Sequence, residues 1–100
     1  MTFSQEVLQL TAKIPRGKLT TYKEIAKKLH TKAYRAVGAA LRNNSKPMII
    51  PCHRVVNTDG SLGGYMGIKN NPEKIRLLKK EGIDIKSNTI DLKKYLFTFR

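Results

Sequence analysis

The chain has 100 residues, with 20 Lys and Arg against 7 Asp and Glu, a formal net charge of +13. That length fits one domain rather than two, and a chain of this size buries roughly two-thirds of its unfolded surface, enough for one modest core. Its hydrophobic residues, 40% of the total, are spread throughout, which is a globular pattern and not a disordered one; no apolar run approaches the ~20 residues of a membrane-spanning helix. Residues 1–20 carry no basic–apolar–cleavage pattern, which predicts a cytoplasmic (nucleoid-associated) location, or a nuclear one in a eukaryote. A single Cys52 cannot form an internal disulfide, and one Cys with two His falls short of a zinc site.

The basic excess points to an anionic partner, with nucleic acid ahead of an anionic membrane surface; a solvated surface that keeps the chain soluble is the alternative. Residues 1–50 hold 10 basic and 2 acidic side chains and residues 51–100 hold 10 and 5, so neither half is a basic tail.

In chain order, Ser4 reads as an N-cap for a first helix over about 4–13, on the spacing of Val7, Leu8, Leu10 and Ile14. Pro15-Arg16-Gly17-Lys18 breaks it. Thr20 or Thr21 caps a second helix, with Glu24 near the capping-box position for Thr21. His30-Thr31-Lys32 forms a short link to a third helix over about Ala33–Asn43. Two short basic helices on a tight link read as a helix-turn-helix, or as an ordinary helical hairpin. The third helix is rich in Ala and contains Gly38, which costs roughly 1 kcal/mol relative to Ala in a helix interior. Close packing of another helix and close approach to DNA explain that glycine equally well.

Met48–Ile50 reads as a short buried strand leading into Pro51-Cys52-His53-Arg54-Val55-Val56. Asn57-Thr58-Asp59-Gly60 is a turn, and Ser61–Gly67 a glycine-rich loop. Asn71-Pro72-Glu73 opens a fourth helix with apolar Ile75, Leu77 and Leu78, stopped at Gly82. The tail suggests strands at Ile83–Ile85 and Asp91–Leu96. The fold class expected is α/β, mostly α.

Adjacent Cys52 and His53 suggest a nucleophile and its base. On an extended chain neighbours point to opposite sides, so direct contact is awkward; a water relay, or a turn at Pro51, would couple them. A buried inert cysteine beside a surface histidine is the competing reading.

Ile50-Pro-Cys-His-Arg-Val-Val56 resembles the active-site motif of the O6-alkylguanine-DNA alkyltransferases, the methylated-DNA–protein-cysteine methyltransferases. Thr21-Tyr-Lys-Glu-Ile-Ala26 is similar to the family's tyrosine-bearing helix, and Arg35-Ala-Val-Gly-Ala-Ala-Leu-Arg42 to its recognition helix. Gly63-Gly-Tyr-Met-Gly67 is similar to its active-site loop and Leu77-Leu-Lys-Lys-Glu-Gly82 to the helix that follows. Together these cover about residues 3–83, in the family's order.

The resemblance implies a winged helix-turn-helix domain with its recognition helix in the minor groove. That groove is only about 6 Å wide, so Ala36, Gly38, Ala39 and Ala40 would suit it. Arg35 matches the arginine that enters the base stack as the damaged nucleotide leaves, extrusion being needed to reach guanine O6. Cys52 matches the nucleophile, His53 the base that takes its proton through a water, Glu81 the acid that orients the histidine, and Tyr22 the phenol that protonates the base at N3. Val55, Tyr65, Met66 and Gly67 would line the lesion pocket, although Tyr65 also reads as core. Asn44 and Arg54 match structural residues near the reactive turn. Arg42 and Thr58 would contact phosphates, which position DNA without reading its sequence. His30 has no match and reads as a surface residue; Tyr34 is left open between packing on DNA and on the protein.

The implied reaction is a single irreversible transfer of an alkyl group from guanine O6 in double-stranded DNA to Cys52, with no metal or organic cofactor and no membrane partner, by a monomer. Family members usually carry a further N-terminal α/β domain. Here residues 1–100 are expected to be the DNA-binding and catalytic domain alone, without the support the other domain gives. Ser45 stands where Pro is frequent, Met66 where a smaller or polar residue is common, and Ile68–Asn71 diverges. The alternative is an alkyltransferase-like lesion sensor, which binds O6-alkylguanine and recruits other repair proteins. Such proteins replace the cysteine, commonly by tryptophan, whereas Cys52 is present here. A generic basic winged-helix binder is the third reading.

Overall fold

The structure is a computed structural model that describes residues 1–46, 49–65, 68–69 and 71–99. Helix α1 (Phe3–Thr11) starts at Thr2, not Ser4. The Thr2 hydroxyl accepts the Gln5 amide at 3.1 Å while the Gln5 side chain accepts the Thr2 amide at 2.8 Å. That reciprocal box satisfies two orphan donors, where Ser4 alone would satisfy one. The helix buries Val7 and Leu10 and packs on α3.

Strand β1 (Thr20–Thr21) runs directly into α2 (Tyr22–Lys28). Of the two candidate caps, Thr21 does the work, its hydroxyl accepting the Glu24 amide at 3.1 Å. Helix α3 (Tyr34–Arg42) follows the link, with Val37, Ala40 and Leu41 turned inward, so Ala40, expected on the groove-facing side, belongs to the core instead. Arg35, Ala36 and Arg42 are exposed, and Gly38 and Ala39 half-buried, on its outer side.

The expected strand over Met48–Ile50 is not formed at Ile49 and Ile50; Met48 lies outside the described residues. Both amides turn back onto the Lys46 carbonyl, at 3.0 and 2.8 Å, and Ile49 is exposed. With Pro51 next, the segment has no ladder to join. Cys52–Arg54 is a 3-10 turn, followed by β2 (Val55–Val56), which pairs in parallel with β1 in the register Thr20 to Val55 and Thr21 to Val56. Strands β3 (Gly64–Tyr65) and β4 (Ile68–Lys69) form an antiparallel wing.

Asn71 caps α4 (Pro72–Lys80), its side-chain Oδ1 accepting the Glu73 amide at 2.9 Å, and Gly82 ends it at φ +88°. The tail strands are not formed. Asp91 caps a short helix, α5 (Leu92–Tyr95), and Leu96 makes only an isolated parallel bridge to Leu19. Asp next to Leu-Lys-Lys favours capping over extension. The core has two clusters. One joins α1, α2, α3 and the reactive turn, and the other joins Leu19, Val56, Leu62, Leu78, Ile83, Ile90 and Tyr95.

Candidate active site and nucleic-acid interface

The cysteine lies where the two basic helices, the parallel ladder and α4 converge. Cys52 is 5% exposed and His53 3%. Because the two share a 3-10 turn rather than an extended strand, they are not forced to opposite sides. The turn after Pro51 is thus the one of the two couplings visible in the backbone.

Two carbonyl-bonded side chains hold the turn. Asn44, buried, donates from Nδ2 to the Ile50 carbonyl at 2.9 Å and accepts the Lys46 amide at 2.9 Å. Arg54 donates from Nη1 to the Ile14 carbonyl at 2.7 Å, and from Nε and Nη2 to the two Glu81 oxygens at 2.9 and 2.6 Å. The fork fixes the carboxylate bidentately. Glu81 also meets His53 Nε2 at 3.1 Å.

This geometry assigns the protons. Burial works to raise the Glu81 carboxyl, but the Arg54 and His53 bonds outweigh it and hold it below its ordinary value, so it is ionised. Burial lowers His53, against the pull of Glu81, so the imidazole is neutral at neutral pH. A neutral imidazole facing a carboxylate carries its proton on Nε2. Nδ1 is then a lone-pair acceptor, and it is buried with no hydrogen-bond partner among the described residues. Burial pushes the Cys52 thiol up, while Asn44 and the Lys74 cation pull against it. The resting sulfur is therefore a thiol that needs a base, and an unoccupied base lies next to it in sequence.

An open cleft of about 640 Å³ is lined by Tyr22, Lys23, Tyr34, Arg35, Gly38, Asn57, Thr58 and Gly64; His53 and Glu81 line a separate cavity of about 260 Å³ with Arg54 and Pro51. Four of the expected residues, Tyr22, Arg35, Gly38 and Thr58, thus share one surface. Tyr22 is half-buried, and burial raises its phenol. Ala36, Ala39 and Arg42 continue along α3 outside the cleft lining. Val55 is fully buried behind the turn, and Tyr65, 6% exposed, meets the His53 ring edge-on at 6.4 Å. Met66 and Gly67 lie outside the described residues. His30 is exposed, at φ +57°.

Sequence reasoning passed over Lys74. It has 0% exposure, yet its Nζ donates to the carbonyls of Val55 at 2.7 Å, Leu62, and Gly64 at 3.1 Å. One ammonium thereby ties β2, the loop and β3 together. Burial lowers its pKa to about 7, against the pull of Cys52. The available signal was its spacing: Lys74, Leu77 and Leu78 lie at i, i+3 and i+4 on the buried face of α4. Gly63, in the glycine-rich loop, is glycine for a reason that only the fold shows. It sits at φ +71°, and a Cβ there would lie 3.0 Å from the Tyr22 oxygen.

The chain matches the family model for the DNA-binding domain of 6-O-methylguanine DNA methyltransferase over residues 2–83. It is 48% identical over 90 residues to a bifunctional methyltransferase/endonuclease of Picrophilus torridus, covering 88% of this chain and 29% of that one. A methylated-DNA–protein-cysteine methyltransferase of Methanocaldococcus jannaschii is 56% identical over 63 residues, covering 63% and 36%. The chain spans less than half the length of these relatives. Among solved structures, S. pombe Atl1, in complex with damaged DNA containing O6-carboxymethylguanine, superposes with a TM-score of 0.85 at 26% identity, covering 97% of this chain and 95% of that one. Mycobacterium tuberculosis OGT, in complex with DNA, superposes with a TM-score of 0.73 at 40% identity, covering 81% and 50%.

Proposed function

The chain belongs to the 6-O-methylguanine DNA methyltransferase DNA-binding domain family, and from that premise we propose that it repairs DNA by moving an alkyl group from guanine O6 to Cys52. The observation that carries the reading is the buried His53–Glu81 pair beside the only cysteine, with the second imidazole nitrogen left as an acceptor. The Sγ–carbon bond forms as the O6–carbon bond breaks. The thiol proton passes through a water to His53 Nδ1, and Tyr22 gives a proton to the departing guanine at N3. A thioether is not readily hydrolysed, so each molecule acts once. Arg35 takes the place of the extruded base, Ala36, Gly38 and Ala39 let α3 approach the minor groove, and Arg42 and Thr58 hold phosphates, with the protein acting as a monomer. Tyr65 and Val55 back the lesion pocket.

The near full-length match to Atl1 supports a second reading, a lesion sensor that binds without transfer. One assay separates them. The protein is mixed with a duplex containing O6-methylguanine, and the Cys52 peptide is weighed by mass spectrometry. Methylated Cys52 in the wild type, and none in a Cys52→Ser variant that still prefers the lesion duplex, is the expected result. Lesion preference with unmodified Cys52 establishes the sensor instead.

A further inference from the structure

Tyr34 opens α3 and is 44% exposed, on a helix whose outer side is otherwise small residues and arginines. A single exposed aromatic is ordinary on a protein surface; the position of this one is informative. It lines the same cleft as Arg35, Lys23 and Tyr22, and no other aromatic ring among the described residues packs on it. One helical turn further on, Gly38 faces open space, since a Cβ there would meet nothing within 4 Å. Among the described residues, the cleft lining holds two cations, Lys23 and Arg35, and no acid. An aromatic face flanked by cations is the combination that holds an unstacked nucleobase, the ring taking the base and the cations the phosphates.

We propose that Tyr34 is a second wedge beside Arg35, its ring packing on the base adjacent to the extruded one. The inference rests on the reading of this cleft as the surface that receives damaged DNA. A minor groove about 6 Å wide has no room for a tyrosine lying against its floor beside a helix. Where Arg35 has opened the stack, the neighbouring base presents a face, and apolar side chains entering from the minor groove occupy such opened steps. The Ala and Gly positions of α3 set how close the helix comes, and Tyr34 at its leading end then holds the step open.

The test uses the whole chain and a duplex with 2-aminopurine placed beside O6-methylguanine, read by binding anisotropy and by 2-aminopurine emission, which rises when the base loses its stacking partners. Tyr34→Ala is expected to weaken binding roughly 5- to 150-fold, the equivalent of the ~1–3 kcal/mol of one base–aromatic stack, and to give a brighter complex. Tyr34→Phe keeps the ring and is expected to stay within about twofold of wild type on both readouts. Tyr34→Leu keeps apolar bulk without a ring and is expected to give the bright complex. Wild-type affinity and emission in Tyr34→Ala overturn the inference, as does a dim Tyr34→Leu complex, or a Tyr34→Phe loss equal to that of alanine. Unmodified Cys52 in the transfer assay would refute the proposed chemistry while leaving these binding readouts intact, so the two failures are distinguishable.

Discussion

Replacing Lys74 by Met isolates the energetics of one buried cation. In the wild type the ammonium has an ordinary pKa of 10.5 when the chain is unfolded and about 7 when it is folded. Between those values the unfolded state binds more protons than the folded one, so stability rises with pH. Each unit of pH then adds about 1.4 kcal/mol once the folded lysine is neutral, and about half that near pH 7 where it is half-protonated. From pH 7 to 8.5 the wild type should therefore gain roughly 1.5–2 kcal/mol. Cys52 and Tyr22, both raised by burial, oppose the trend only as their ordinary values are approached, near 9.0 and 10.0, so the window stops short of them. Lys74→Met lacks this gain. It also leaves the Val55, Leu62 and Gly64 carbonyls without their shared donor, at about 1–3 kcal/mol for each that stays unsatisfied, less the desolvation cost no longer incurred. The assay is urea unfolding of both proteins at pH 7.0, 7.5, 8.0 and 8.5, with the free energy extrapolated at constant m. Parallel curves for the two proteins, or a wild type that weakens as pH rises, would refute the reasoning.

Three further outcomes follow from the site. Glu81→Gln removes the charge that Arg54 grips, both side chains being 15% exposed or less; it should cost about 3 kcal/mol and slow transfer by roughly 10²-fold or more by unfixing the histidine tautomer, as read by urea unfolding and by the rate of Cys52 methylation. Because Glu81 sits below its ordinary 4.5, its stabilisation is present above that pH and lost as pH falls through the lower folded value; an acid titration should show a smaller loss in the variant than in the wild type. Gly63→Ala places a Cβ at φ +71° and 3.0 Å from the Tyr22 oxygen, so about 1–2 kcal/mol of stability should be lost, with a larger fall in transfer rate as the phenol is displaced. An unchanged rate in a destabilised Gly63→Ala protein would mean that Tyr22 is not held by this contact.

The helices were legible because their signals are local: Thr21, Asn71 and Gly82 each cap or stop an element within one turn of themselves. The first cap was misplaced by two residues because Ser4 was read alone, while Thr2 is chosen jointly with Gln5. The strands expected at 49–50, 83–85 and 91–96 failed because strand identity depends on a partner elsewhere in the chain. Instead the Lys46 carbonyl took the Ile49 and Ile50 amides, the Leu78 carbonyl and the Tyr95 hydroxyl took those of Ile83 and Asp84, and Asp91 and a bridge to Leu19 settled the last segment. The reactive motif was readable from Cys52 and its neighbours, and the His53–Glu81 relay only through the family resemblance, since no local signal joins the two. Glu81 lies 28 residues beyond His53, and two details needed the fold: that Nε2 is the nitrogen facing it, and that Arg54 grips both of its oxygens. Lys74 was hidden by its type, since a lysine on an amphipathic helix is read as solvent-facing until its three carbonyl partners are known.

The parallel pairing of Thr20–Thr21 with Val55–Val56 has a consequence for how this domain tolerates change. Thr21 caps the helix that starts with Tyr22, and Val55 directly follows the turn that holds Cys52, so the spacing of phenol and sulfur is set by a two-rung ladder rather than by helix–helix packing. Helix α3 takes no part in that ladder. It reaches the sulfur by another route: Asn44, just past its end, bonds the Ile50 carbonyl, and Val37, Ala40 and Leu41 share a core cluster with Cys52. A longer or shorter His30–Lys32 link would therefore be felt at the sulfur through α3, while the ladder keeps the start of α2 in register with Val55.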